Sequence, residues 1–303
     1  MFAAPPVLET TVFTKLPPEL SKLGQRSAWA EARGGKYHSF LEGPSFDRAG
    51  NLYCVDIPYG RIFRISPEGR WTVFAEYDGE PNGLKIHRDG SIYVADQKNG
   101  LLRFDAKTGE RTVVVDRPHG ERFKGLNDLV FANNGDIYFT DQGRSDLKSP
   151  HGRVYRLTAR GSLEVVFDGL AAPNGLALNK QQTMLYVAVT CANQILGVVI
   201  EHGDAIGKAY VTVQMLGGPR GPDGMAVDEE GNIVAVAAGF GTVWMFSRFG
   251  EPLYRIKSCT GLRTTNVAYG GPDRSTLYIT EGEAGAILQV RLPTPGVTLY
   301  SHM

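Results

Sequence analysis

Apolar residues in this chain gather in short runs, alternating with polar ones or continuous over three to five positions, and nearly every run is bounded by Gly, Pro, Asn or Asp. Arg61-Ile-Phe-Arg-Ile65, Trp71-Thr-Val-Phe74, Val154-Tyr-Arg-Leu157, Val165-Val-Phe167 and Val243-Trp-Met-Phe246 are examples. Runs of this length and period predict β-strands stacked face to face, and they leave little place for helices.

The runs are organised by one segment that recurs six times. It reads Glu42-Gly-Pro-Ser-Phe-Asp-Arg-Ala-Gly50-Asn-Leu-Tyr53, then Asn82 to Gly90 and Tyr93, then Asn127 to Gly135 and Tyr138. Later copies begin at Asn174, Asp223 and Asn266 and reach Tyr186, Val234 and Tyr278, two of them with one extra residue in the turn. Successive copies lie 40, 45, 47, 49 and 43 residues apart, the length of a four-stranded blade and well above that of a leucine-rich or hexapeptide repeat. The fold expected is all-β, a single six-bladed β-propeller over 1–303. In it, 1–41 supplies a closing strand and a segment covering one mouth of the central channel. Val7 to Phe13 is the candidate closing strand, to be placed beside Ala286 to Leu292. Residues 15 to 41 and Gln142 to Gly152 are candidate mouth covers.

In a propeller, equivalent points of every blade face one axis, so residues 42, 82, 127, 174, 223 and 266 form a ring. It reads Glu, Asn, Asn, Asn, Asp, Asn. Two carboxylates and four carboxamides converging on one point suit a hard divalent cation: Ca²⁺ first, with Mg²⁺, Mn²⁺ or Zn²⁺ as alternatives, although zinc more commonly brings His or Cys. Taken singly, Asn82-Gly83, Asn174-Gly175 and Asp223-Gly224 read as turn signals. Glu42 does not, because Glu is a poor turn residue. Asp56, Asp96 and Asp141, each fourteen residues after a ring position, read as turn-capping carboxylates.

Charge removes several partners from consideration. The 32 Lys and Arg balance the 32 Asp and Glu, so no broad basic field exists for nucleic acid or for an anionic membrane. No apolar stretch approaches the length of a membrane span. Met1-Phe2-Ala3-Ala4-Pro5-Pro6 lacks the basic start and apolar run of a signal peptide, and a soluble, cytoplasmic protein is expected. Cys54, Cys191 and Cys259, odd in number and flanked by apolar residues, read as buried thiols outside any disulfide or zinc cluster.

Nucleophile-elbow, HExxH, Walker A and GxGxxG signatures are missing, which sets aside serine-nucleophile and nucleotide chemistry. The six histidines, at 38, 87, 119, 151, 202 and 302, show no metal-ligand spacing; His38 and His151 fall in candidate mouth loops.

Leu41-Glu42-Gly43-Pro44, Leu126-Asn127-Asp128-Leu129, Ala172-Pro173-Asn174-Gly175-Leu176 and Gly221-Pro222-Asp223-Gly224-Met225 are the pieces by which the chain, over about residues 38 to 292, resembles the SMP-30/gluconolactonase family. The resemblance implies a metal-dependent lactonase acting on a small lactone or ester. It implies Glu42, Asn174 and Asp223 as metal ligands, with Asn127 as the fourth ligand or a substrate-side residue. Asn82 and Asn266 then contact substrate or support the ligands. Sugar-lactonase relatives can carry Arg two residues before the third-blade Asn, where this chain has Gly125, so contacts to an aldonolactone would differ there. Trp29, Tyr37, Phe40 and Tyr59 are candidates for a less polar pocket or for packing.

For such a site, Asp223 is the chosen general base and Asp128 the alternative carboxylate. The competing readings are another ester or organophosphate hydrolase on the same metal, and a non-catalytic binding propeller with structural calcium. A strictosidine-synthase-like condensing enzyme ranks below them.

Overall fold

The computed structural model describes residues 4–118, 120–202, 204–215, 218 and 220–303. Met1-Phe2-Ala3 and His119 lie outside the described residues.

Six antiparallel sheets follow one another along the chain as the blades of a propeller. The first blade shows the plan: Leu41–Phe46, Leu52–Asp56, Arg61–Ile65 and Trp71–Glu76 pair in sequence order from the axis outward. The inner strands of the other blades are Pro81–Ile86, Leu126–Phe131, Pro173–Leu178, Pro222–Val227 and Thr264–Gly270. Each inner strand lies against the next, and the sixth lies against the first, so the ring closes. Outward-pointing positions of adjoining blades interdigitate: Val130, Tyr138 and Val154 of the third blade share a buried cluster with Leu176, Leu185 and Val187 of the fourth. Removing that apolar surface from water stabilises the blade stack at roughly 25 cal/mol per Å².

Closure divides the segment expected to form one strand. Thr11–Lys15 runs antiparallel to Ala286–Arg291 and completes the sixth blade. Val7–Glu9 instead pairs parallel with Pro252–Lys257 as a fifth strand of the fifth blade. Between them buried Thr10 makes the crossing, its amide donating to Lys257 O at 3.0 Å and its hydroxyl accepting from Cys259 N at 3.0 Å.

Residues 15–41 contain a short 3-10 turn, Pro18–Leu20, and a one-turn helix, Ala28–Glu31, capped by the Ser27 hydroxyl. Trp29, Tyr37 and Phe40 pack together with ring centroids 5.0–5.6 Å apart, Tyr37 edge to face with the other two, over buried Ile57. Tyr59 Oη donates to Tyr37 O at 2.5 Å. These four aromatic residues therefore fasten the segment to the first blade.

The cysteines depart from expectation. Cys54 is buried in a strand, but Cys191 is half-buried in a 3-10 turn, and Cys259 is exposed because the chain after Lys257 has left the sheet. Among the described residues no helix is long and apolar enough to cross a membrane.

Candidate active site

All six ring residues lie inside inner strands, so the Asn-Gly and Asp-Gly pairs are not turns here. The pairing register slips at the ring residue of every inner strand, for example between Glu42 and Ser45 and between Pro222 and Met225. A bulge bends the strand and re-aims its side chain, and six in equivalent places turn six polar side chains toward one axis.

The residue after the ring position explains how tightly the strands approach. A methyl group on Gly43 would stand 2.6 Å from Asn82 O, and one on Gly83 would stand 2.8 Å from Asn127 O and 2.5 Å from Asp128 Oδ1. Gly175 and Gly224 are crowded in the same way by Asp223 and Asn266 of the following blades. Glycine is thus required by close backbone approach. The third blade alone places a carboxylate there: Asp128 occupies the position that is glycine in four blades and Val267 in the sixth.

Asp128 is buried and well bonded. Its Oδ1 accepts from Leu129 N at 2.8 Å and lies 3.7 Å from Lys85 Nζ, while its Oδ2 accepts from Asn266 Nδ2 at 3.2 Å. The same Asn266 amide donates to Glu42 Oε2 at 2.9 Å, and Gly43 N donates to that oxygen at 2.7 Å. Asn266 Oδ1 in turn accepts from Val267 N at 2.8 Å. Thr140 and Thr265 hydroxyls, donating to Asn174 O and Leu41 O at 2.8 Å, tie the inner strands to their neighbours at this level.

Glu42, Asn82, Asn127, Asn174 and Asn266 are all buried, and Asp223 keeps partial solvent access. Burial, then the charges of Asp223 and Asp128, raise Glu42 well above the usual carboxylate range. Burial also pushes Asp223 up to about 7, opposed by the Asn174 side chain and reinforced by Asp128. Three acids thus crowd one end of the channel, where the neighbouring cations are Lys85 beside Asp128 and Arg220 near Asp223. Among the described residues no set of three His, Cys, Asp or Glu is placed to share a metal ion. A cation here would take the two ring carboxylates together with carboxamide oxygens. Its positive charge would relieve the mutual repulsion, so the residues present fit a hard divalent ion.

Asp56, Asp96 and Asp141 act as the capping reading requires. Each holds the backbone amide two residues before a ring position: Phe40 N at 2.6 Å, Glu80 N at 3.0 Å and Gly125 N at 2.8 Å. Glu281, which the fourteen-residue spacing does not reveal, holds the amide three residues before the sixth ring position, Arg263 N, at 3.1 Å. Asp56 is also paired with buried Arg61 at 2.6 Å. His38 bonds Glu283 O at 3.0 Å and His151 bonds Ser149 Oγ at 3.2 Å, both near the mouth. Lys85 escaped sequence reasoning altogether, since a lysine in an alternating strand looks solvent-facing until the ring is closed.

Comparison with known proteins agrees with this architecture. Residues 40–283 match the family model described as SMP-30/Gluconolactonase/LRE-like region. The chain is 31% identical over 290 residues to a gluconolactonase of Zymomonas mobilis, covering 84% of this chain and 79% of that protein. It is 30% identical over 231 residues to lactonase drp35 of Staphylococcus aureus, covering 71% and 69%. Among solved structures, XC5397 of Xanthomonas campestris, described as a gluconolactonase, superposes with a TM-score of 0.74 at 27% identity, covering 84% of this chain and 86% of that one. A calcium-binding regucalcin from Agrobacterium tumefaciens superposes with a TM-score of 0.80 at 21% identity over 99% and 100% of the two chains, a likeness of fold. On the match of its family model and of these relatives, the chain belongs to the SMP-30/gluconolactonase/LRE-like family.

Proposed function

We propose that this protein hydrolyses a small lactone, a sugar lactone or a related γ- or δ-lactone, with a divalent cation held by Glu42, Asn127, Asn174 and Asp223. The observation that carries the proposal is the convergence of Glu42 and Asp223, with Asp128 beside them, at one end of an otherwise amide-lined channel. The lactonase names of the relatives support the reaction class. Calcium is the first choice of ion because the donors are all hard oxygens.

When bound, such an ion supplies electrophilic polarisation of the ester carbonyl and stabilises the negative charge that develops on its oxygen. The chain's residues do the rest. Asn266 and Gly43 N fix the Glu42 carboxylate in one orientation through Oε2. Asp223 accepts a proton from the attacking water at a carboxylate oxygen. Its partial exposure gives water access to the carboxylate. Asp128, the alternative base, already accepts from Leu129 N and Asn266 and faces Lys85, which favours Asp223. Asn82 and Asn127, at adjoining positions of the ring, offer amide groups to orient the lactone, and Asn266 contacts it from the other side of Glu42.

The test is acid release from a panel of γ- and δ-lactones, with phosphotriesters and simple open esters as comparison. Hydrolysis of lactones that stops on chelation and returns with added Ca²⁺ is expected. Activity on phosphotriesters alone would move the assignment to the competing hydrolase class, and no turnover with any of them would leave a binding propeller.

A further inference from the structure

Three residues beyond each ring position, the inner strands form a second ring. It reads Ser45, Lys85, Val130, Ala177, Ala226 and Tyr269. Its composition is divided by blade. The sixth, first and second blades, which are neighbours, bring Tyr269, Ser45 and Lys85, whereas the third, fourth and fifth bring only Val130, Ala177 and Ala226. The two alanines leave space, and a cavity of about 250 Å³ lies there. Leu176, Met225 and Val267 add to its apolar wall, and the strand-free segment 296–303 closes it. That segment is anchored: Val297 N donates to Val227 O at 3.1 Å, Tyr300 stacks on Phe131 at 5.4 Å, and Arg48 Nε donates to Ser301 O at 2.9 Å.

The polar arc has unused bonding capacity. Tyr269 Oη and Ser45 Oγ are buried without a hydrogen-bond partner among the described residues. Lys85, which lines the cavity, donates through Nζ to Leu84 O at 3.2 Å and stands 3.7 Å from Asp128 Oδ1, so its three ammonium protons are not all taken. A gap of about 10 Å³, lined by Ser45, Lys85 and Val130, adjoins the larger cavity and matches a single water. Buried hydroxyls left without a partner are costly, so a partner is expected. Glu229 at the rim is paired with Lys180 at 2.7 Å, which leaves Lys85 as the charge a ligand would meet inside.

We propose that this chamber, three residues along the inner strands from the ring of residues 42 to 266, is a second binding site for a short-chain carboxylate whose head meets Lys85, Ser45 and Tyr269 and whose tail lies against Ala177, Ala226 and Met225. A cavity of this size has room for several waters or for a short acyl chain. Octanoate is the matching probe. The proposal is independent of the lactonase reading, because it requires neither the cation nor turnover.

The experiment is isothermal titration of the full chain with octanoate in the presence of a chelator, so that carboxylate binding to a divalent ion does not contribute. One equivalent is expected to bind, octylamine is expected not to, and Lys85→Met should weaken octanoate at least tenfold. Ala226→Leu, which fills the apolar side and leaves the charges alone, should weaken it by a similar factor. Absence of binding up to 10 mM octanoate, equal binding of octylamine, or affinity unchanged in both variants would overturn the proposal.

Discussion

Asn266 Nδ2 donates to Glu42 Oε2 at 2.9 Å, joining the last blade to the first across 224 residues of sequence. The same nitrogen reaches Asp128 Oδ2 at 3.2 Å, so one carboxamide holds apart two carboxylates that would otherwise repel. Replacing Asn266 by Asp removes both donated hydrogens and adds an acid. Calcium affinity and kcat/KM should each fall about 10–100-fold, the usual effect of losing a group that orients a metal ligand. Calcium titration beside lactone kinetics checks this, and unchanged values for both would show that Glu42 needs no such support.

Asp223 and Asn82 are expected to fail differently. Asp223→Ala should abolish turnover and lower metal content together, because one carboxylate serves both purposes. Asn82→Ala should alter the ranking of lactone substrates while metal per chain stays near the wild-type value. Metal analysis and a lactone panel on the same preparations separate the two, and full activity in Asp223→Ala would remove that residue from the mechanism.

The raised carboxyls predict a pH dependence with a definite sign. Asp223 rises from 3.8 to about 7 in the folded chain without metal, and Glu42 rises well above its ordinary value. Between these limits the folded state binds more protons than the unfolded one. The stabilisation from these groups is therefore fully present below about pH 4 and is lost as pH climbs through about 7. A divalent ion must displace the protons, so its affinity should increase from pH 6 to pH 8 and its binding should release protons at pH 6.5. Calorimetry in buffers of different ionisation enthalpy measures the release. No proton release at pH 6.5 would contradict the crowding of acids described here.

Gly83 tests the packing that places Asp128. Its added methyl in Gly83→Ala would stand 2.5 Å from Asp128 Oδ1 and 2.8 Å from Asn127 O. Because one obstacle is backbone, the blades must shift, and a loss of about 1–3 kcal/mol is expected. Thermal unfolding should report it, and an unaltered Tm would mean that the second and third blades have room to give.

Much of this architecture was open to sequence reading because each inner strand repeats one signature. Glu42, Asn127 and Asp223 occupy the same place in the first, third and fifth copies, so aligning the copies aligned the ring. The closing strand was harder. Val7 to Phe13 looks continuous, yet Thr10, whose hydroxyl meets Cys259 N, marks a transfer between two blades that depends on residues about 250 positions away. Lys85 was obscured for a related reason, because an alternating strand does not say which polar face meets water and which meets an enclosed axis. Glu281 was hidden by the extra residue in the sixth copy, which moves it from fourteen to fifteen positions after Asn266.

The central claim is that Glu42, Asn127, Asn174 and Asp223 hold one catalytic divalent ion. Its most direct measurement is metal per chain and lactone hydrolysis on one sample, before chelation, after chelation and after adding Ca²⁺ back. About one equivalent of divalent ion, with hydrolysis that disappears on removal and returns on restoration, is the predicted result. Lactone hydrolysis that continues undiminished after the metal has been removed would contradict the account.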